Sequence, residues 1–209
     1  MDILIGTKNN YKVDELRFYL EDMKFIKVHL LRDQDIEVDI LEDGNTLEEN
    51  AQKKAIEISK KTKFLVLASD GGVDIPALNQ DWNFLKNERT IGKEKSDVQK
   101  AEKLLKLMKG LDNEERRVEF HHALALAKKG KLLWSNEKVV ERGYIAKKLP
   151  DKNIPEDKWL SHIWYYPEFG KVFNKLDEYE LGKVREQSRE LKKSLQKKIK
   201  EILDKYPVF

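Results

Sequence analysis

The stretch Phe-Leu-Val-Leu-Ala-Ser at 64–69 constrains the fold more than any other part of this chain. It is far too short for the roughly 20 apolar residues of a membrane span. It also lacks the apolar/polar alternation of a strand with one wet face. A continuous run of this length suits a strand covered on both sides, which means a largely parallel sheet with helices on its faces. A strand is expected over 2–6, where Ile3, Leu4 and Ile5 form a second apolar run, and again over 26–31.

Helical spacing separates these strands. Val13, Leu16 and Leu20 share a face over 11–22, and 45–61 and 96–109 are amphipathic. From 117 the period changes to two, with Val118, Phe120, His122, Leu124 and Leu126 alternating. "KKGK" at 128–131 turns the chain and 132–146 returns, giving a long hairpin. Pro150, Pro155 and Pro167 mark a loop-rich region. The segment 177–205 is expected as one charged helix with Leu191, Leu195, Ile199 and Ile202 as its apolar seam. The expected fold is a single α/β domain over 1–209. It has a central mixed sheet flanked by helices, two lobes with a cleft between them, a long hairpin in the second lobe and a C-terminal helix.

Composition narrows the function classes. The length of 209 residues suits one sizeable core. Lys and Arg exceed Asp and Glu by 41 to 38, too even a balance to argue for nucleic acid or an acidic membrane as partner. The absence of cysteine excludes disulfides and thiolate chemistry. Asp2 precedes only four apolar or glycine positions, unlike a signal peptide, so a cytoplasmic location is expected.

Three stretches carry candidate chemistry. At the tip of the first strand, Gly6, Thr7, Lys8, Asn9 and Asn10 lead into Lys12 at the start of a helix. Hydroxyl, ammonium and amide donors beside free helical N–H groups make a phosphate cradle. The same residues would equally serve as a turn with an asparagine cap. The glycine pattern of a Walker loop is missing. At 44–55, Thr46 and Glu49 have the spacing of a capping box. Glu49 and Lys54 on one helix would hold a cation and a phosphate together, or Glu49 would simply pair with Lys53. In "FLVLASDGGVDIPALN" the buried strand delivers Asp70 to its end, with Gly71 and Gly72 leaving space around the carboxylate. Such a carboxylate suits Mg²⁺ or a water-activating base. The alternative is a plain Asp-Gly turn.

Gly6 to Glu15, Gly44 to Ala55 and Ala68 to Leu78 stand in an order that resembles the inosine triphosphate pyrophosphatase family. The likeness continues through Arg89, Gly92 and 103–126. The resemblance implies a homodimer and Mg²⁺-dependent hydrolysis of nucleoside triphosphates to a monophosphate and pyrophosphate. By position, Thr7, Lys8, Asn9, Lys12 and Lys54 would grip the triphosphate, and Glu49 and Asp70 would hold the metal. Asp70, with Lys12, would be catalytic. A catalytically inactive nucleotide-binding or interaction protein on the same scaffold is the alternative.

The chain departs from the family pattern in two places. Ser69 stands where the first of two acidic residues is usual. The base-reading Gly-Phe-Gly-Tyr/Trp-Asp-Pro is replaced by "KWLSHIWYYPEFG" at 158–170, and Arg185-Glu186-Gln187 aligns with a Ser-His-Arg. Trp159, Trp164 and Tyr166 would then stack on a different base, or else form a core or dimer patch. His121 and His122 point to opposite faces of a strand, so one metal does not readily take both, and packing is the simpler role.

Overall fold

The computed structural model describes residues 1–92, 96–154 and 158–205, apart from the side chains of Gln80, Glu88 and Arg89. Pro155 lies outside these residues. The chain begins with β1 (Asp2–Ile5), α1 (Asn10–Leu20) and β2 (Lys27–Leu30), followed by α2 (Leu47–Ser59) and β3 (Leu65–Asp74). Next come α3 (Asn87–Ile91), α4 (Asp97–Leu107) and the hairpin of β4 (Arg117–Lys128) and β5 (Lys131–Ile145). The chain ends with β6 (Trp164–Tyr166), β7 (Lys171–Val172), α5 (Glu178–Arg185) and α6 (Arg189–Lys205).

The strands hydrogen-bond in the order β2-β1-β3-β4-β5-β6-β7. β1 is parallel to both β2 and β3, while β6 is antiparallel to β5 and β7, so the sheet is mixed. The hairpin forms as its alternation predicts. Its two-residue loop places Lys129 and Gly130 at φ 51° and 75°, the left-handed geometry that matches the twist of paired strands.

Two elements differ from the sequence expectation. β3 does not stop at Ser69 but continues in extended form to Asp74. Asp70 therefore sits inside a strand rather than in an Asp-Gly turn or at a strand's end. The segment 177–205 is two helices, interrupted by a tight turn at Glu186–Ser188. There the Ser188 hydroxyl bonds the Arg185 carbonyl, and Gln187 Oε1 accepts the Arg142 amide at 2.8 Å. Local side-chain bonds compete with continuation of the helix.

The chain separates into two compact units. The first comprises Met1–Gly71, His122–Lys138 and the chain from Arg189 onward; the second comprises Gly72–His121 and Val139–Ser188. In the first, Ile3, Leu4, Ile5, Leu16, Leu47, Ile58 and Leu67 are all within 1% of complete burial, and Leu4 packs with Ile58 and Val66. Each such side chain contributes about 1.5–3 kcal/mol. Leu191, Leu195 and Ile199 of α6 are fully buried, as their spacing predicts.

The second unit has an aromatic core. Trp159, Trp164 and Tyr166 are 6%, 3% and 0% exposed and pack with Ile145, Leu104 and Met108. Arg116 is buried among them, and its guanidinium donates to the carbonyls of Met108, Ile145 and Ala146 at 2.6–2.7 Å. These bonds compensate the cost of burying the cation.

Candidate active site

The first unit assembles the candidate site from α1, α2 and β3. Gly6 follows β1 directly and donates its N–H to the Leu67 carbonyl at 2.8 Å. A Cβ there would lie 3.0–3.3 Å from Ile58, Val66 and Ala68, so the missing side chain serves helix–sheet packing. Asn9 caps α1, its Oδ1 accepting the Lys12 N–H at 3.0 Å, and Thr7 Oγ1 accepts the Asn9 N–H at 3.2 Å. The cap uses acceptor oxygens only. The Thr7 hydroxyl hydrogen and the Asn9 Nδ2 are donors that capping does not consume. Lys8 is exposed beside them.

α2 is anchored by a tight loop. Thr46 Oγ1 accepts the Glu49 N–H at 3.0 Å, but Glu49 Oε2 reaches back to the Asn45 N–H at 2.7 Å rather than to Lys53. Lys53 pairs instead with Asp43. The Glu49–Lys53 pair, the simpler of the two readings of this helix, is thus replaced by two contacts to the preceding loop. A Cβ on Gly44 would stand 2.6 Å from Asn50 Oδ1 and 2.9 Å from Glu49 Cβ, so only glycine lets the loop lie this close to the helix. The Gly44 N–H completes the contact at 2.8 Å from Asn50 Oδ1.

This loop also delivers Glu42 to the site. Glu42 Oε1 is 3.2 Å from Lys54 Nζ, and Asp70 Oδ1 is 2.9 Å from the same nitrogen. Lys12 Nζ lies 3.5 Å from Asp70 Oδ1. Lys54 and Asp70 keep only 11% and 9% of their side-chain exposure, and Lys12 keeps 32%. Sequence reasoning overlooked Glu42; its signal was the acidic segment leading into Gly44. Glu49 lies in the cap of α2, and no contact of its carboxylate with Lys54 or Asp70 occurs among the described residues.

His122 belongs to the same surroundings. Its Nδ1 is 3.1 Å from the Tyr19 hydroxyl, and the ring is 1% exposed. Burial, reinforced by the charges of Lys12 and Lys54 and opposed by Asp70, pushes its pKa down to about 3. A neutral imidazole therefore packs beside the charged cluster. His121 makes an edge contact with Phe84, ring centroids 4.8 Å apart.

Ser69 is 3% exposed, and its Oγ has no hydrogen-bond partner among the described residues. Adjacent residues of a strand face opposite sides, so Ser69 does not point with Asp70.

The donor set suits Mg²⁺. No three His, Cys, Asp or Glu side chains form a metal cluster among the described residues. Mg²⁺ is ordinarily held by one or two carboxylates together with substrate phosphates rather than by an all-protein cage. Asp70 on β3, with Glu49 at the start of α2 or Glu42 on the loop before it, could supply such carboxylates.

Trp159, Trp164 and Tyr166, expected as a base platform, lie in the core of the second unit. Packing on both ring faces leaves them no surface on which a base would stack, so the core reading of these aromatics holds. Gly143 makes room for this packing, since a Cβ there would fall 2.3 Å from the Trp164 indole nitrogen. The Tyr166 hydroxyl donates to Glu141. Burial pushes that carboxyl up to about 7 against the lowering effect of the hydrogen bond.

The model of the Ham1 family matches residues 3–197. The chain belongs to the Ham1 family. That membership agrees with the order of motifs read from the sequence. A dITP/XTP pyrophosphatase of Bacillus licheniformis is 37% identical over 145 residues, covering 69% of this chain and 72% of that protein. A dITP/XTP pyrophosphatase of Geobacillus kaustophilus is 31% identical over 195 residues, covering 92% and 91%. The solved structure of a HAM1 protein from Coxiella burnetii superposes with a TM-score of 0.75 at 28% identity, covering 94% of this chain and 99% of that one. The mixed sheet, the flanking helices and the long C-terminal helix are shared with this structural neighbour. No helix among the described residues is long and apolar enough to cross a membrane.

Proposed function

We propose that this Ham1-family chain is a Mg²⁺-dependent nucleoside triphosphate pyrophosphatase, releasing a nucleoside monophosphate and pyrophosphate, with a base preference different from that of its relatives. The observation that carries the reading is the buried contact of Asp70 with Lys54, joined by Lys12 and Glu42. A polyphosphate needs several cations, and a hard dication needs carboxylate oxygens. This cluster offers both from one strand, two helices and the loop before the second of them.

Lys12 and Lys54 would turn from the carboxylates to the phosphate oxygens when substrate arrives, with Lys8, Thr7 and Asn9 donating beside them. Asp70, freed of part of its cationic company, would accept the proton of the attacking water. Glu49 and Asp70 would hold the metal, with Glu42 beside Lys54 as a further carboxylate in support. A magnesium ion bound there would neutralise phosphate charge and make the water more acidic.

A changed base preference is supported by the replacement of the motif aspartate. At that place Tyr166 is turned into the core and bonds Glu141. A homodimer and a cytoplasmic location accompany the proposal. Assaying pyrophosphate release with Mg²⁺ across ITP, XTP, dITP, the standard triphosphates and several modified pyrimidines tests it. Turnover of at least one is expected, and that substrate names the base class. A folded protein silent across the panel would favour an inactive nucleotide-binding relative.

A further inference from the structure

The second unit holds a groove lined by none of the residues assigned above to the phosphates or the metal. Its volume is 750 Å³, within the range of small-molecule pockets. Tyr144 of β5 and Tyr165 of β6 are directly opposed across the antiparallel pair and both line it. Opposed residues on neighbouring strands stand about 5 Å apart, so the two half-buried rings form a joint floor. Pro150 and Pro167 extend its apolar wall.

The charges around this floor are unequal. Lys147, Lys148 and Lys175 are exposed, line the groove and have no ion-pair partner among the described residues. The other two cations of the lining are already engaged: Arg116 donates to three backbone carbonyls, and Lys171 is held by Glu180 at 2.8 Å. Glu114 is the single carboxylate of the lining, and Arg117 pairs with it. Three uncompensated ammonium groups thus surround an aromatic floor.

We propose that this groove is a binding site for a nucleoside phosphate, its base lying on Tyr144 and Tyr165 and its phosphate held by Lys147, Lys148 and Lys175. An aromatic floor accepts any base because every base has a π-face. Flexible ammonium groups bind phosphate as point charges without demanding one geometry. The site is distinct from the Asp70–Lys54 cluster in every residue it uses.

Hydrogen–deuterium exchange of the full chain with AMP as the probe tests this, because a monophosphate cannot release pyrophosphate. AMP is expected to slow exchange across 144–148 and 165–175. Lys148→Glu and Lys175→Glu, both at exposed positions, should each weaken that protection about tenfold, the effect of reversing one close charge. Their melting temperature and pyrophosphate release should not change. Absence of protection in the wild type at millimolar AMP would overturn the proposal, as would protection that both variants retain. Equal protection by inorganic phosphate alone would remove the tyrosine floor from the account. Protection that follows protein concentration instead of AMP would assign the groove to a second copy of the chain.

Discussion

Lys54 Nζ lies 2.9 Å from Asp70 Oδ1, and both side chains are almost out of water. Lys54 comes from the buried face of α2, where Leu47, Ala51, Ala55 and Ile58 hold the helix against the sheet. Asp70 comes from the interior of β3. Two buried elements of the first unit therefore fix the pair. A buried charge left alone costs several kcal/mol. Each member is what makes burial of the other tolerable.

Glu42→Gln tests the second carboxylate. It keeps the shape of the side chain and removes one charge from Lys54. The expected outcome is a Mg²⁺ requirement raised about tenfold, the usual scale for loss of a supporting metal interaction. Thermal stability should fall little, since Glu42 is half exposed. Titrating pyrophosphate release against Mg²⁺ measures it; an unchanged metal profile would remove Glu42 from the site.

Lys12→Ala should weaken triphosphate binding more than monophosphate binding. Lys12 is the more exposed of the two lysines facing Asp70, and it stands in the first turn of α1. A loss of about 1–3 kcal/mol in triphosphate affinity is expected for one charge-assisted contact. Calorimetry with a non-hydrolysable triphosphate and with the monophosphate reads the difference. Equal losses would mean that Lys12 does not reach the outer phosphates.

Gly44→Ala should separate loop from helix. The added Cβ would stand 2.6 Å from Asn50 Oδ1, so the loop must shift and the Asn50 cap must loosen. A stability loss of about 1–3 kcal/mol is expected from strain and a lost buried hydrogen bond. Activity should fall further than stability alone explains, because Glu42 moves with the loop. Chemical denaturation and a Mg²⁺ titration on the same sample test both parts.

Much of this architecture was legible in the sequence. The apolar run before Asp70 and the period-two pattern from Val118 are direct consequences of burial, and both elements form where they were expected. The extension of β3 through Asp70 was hidden, because Gly71 and Gly72 read as a turn until neighbouring strands supply their hydrogen bonds. The contact of Glu42 with Lys54 was hidden as well. It depends on a loop geometry that Gly44 permits but no periodicity encodes. For Trp159, Trp164 and Tyr166 the sequence left a base platform and a core patch both open, because aromatic composition does not say which face of a short element is covered.

Glu141→Gln should change the pH dependence of stability. The carboxyl rises from 4.5 in the unfolded chain to about 7 in the folded one. Between these values the folded protein binds more protons than the unfolded one. Stability therefore falls as pH rises from about 4.5 to about 7 and levels off above. The span corresponds to a contribution on the order of 3 kcal/mol. Denaturation curves at pH 5 and pH 8 should converge in the Gln variant, and an unchanged pH profile would contradict a buried protonated Glu141.

The central claim is that Asp70 acts on a water held beside a triphosphate gripped by Lys12 and Lys54. Its most direct measurement is phosphorus NMR of the products from wild type and Asp70→Asn, with Mg²⁺ and the best triphosphate of the panel. The account predicts pyrophosphate and monophosphate from the wild type, and a rate lower by about 10²–10⁴ in the folded variant. Release of inorganic phosphate instead of pyrophosphate, or an undiminished rate in Asp70→Asn, would contradict it.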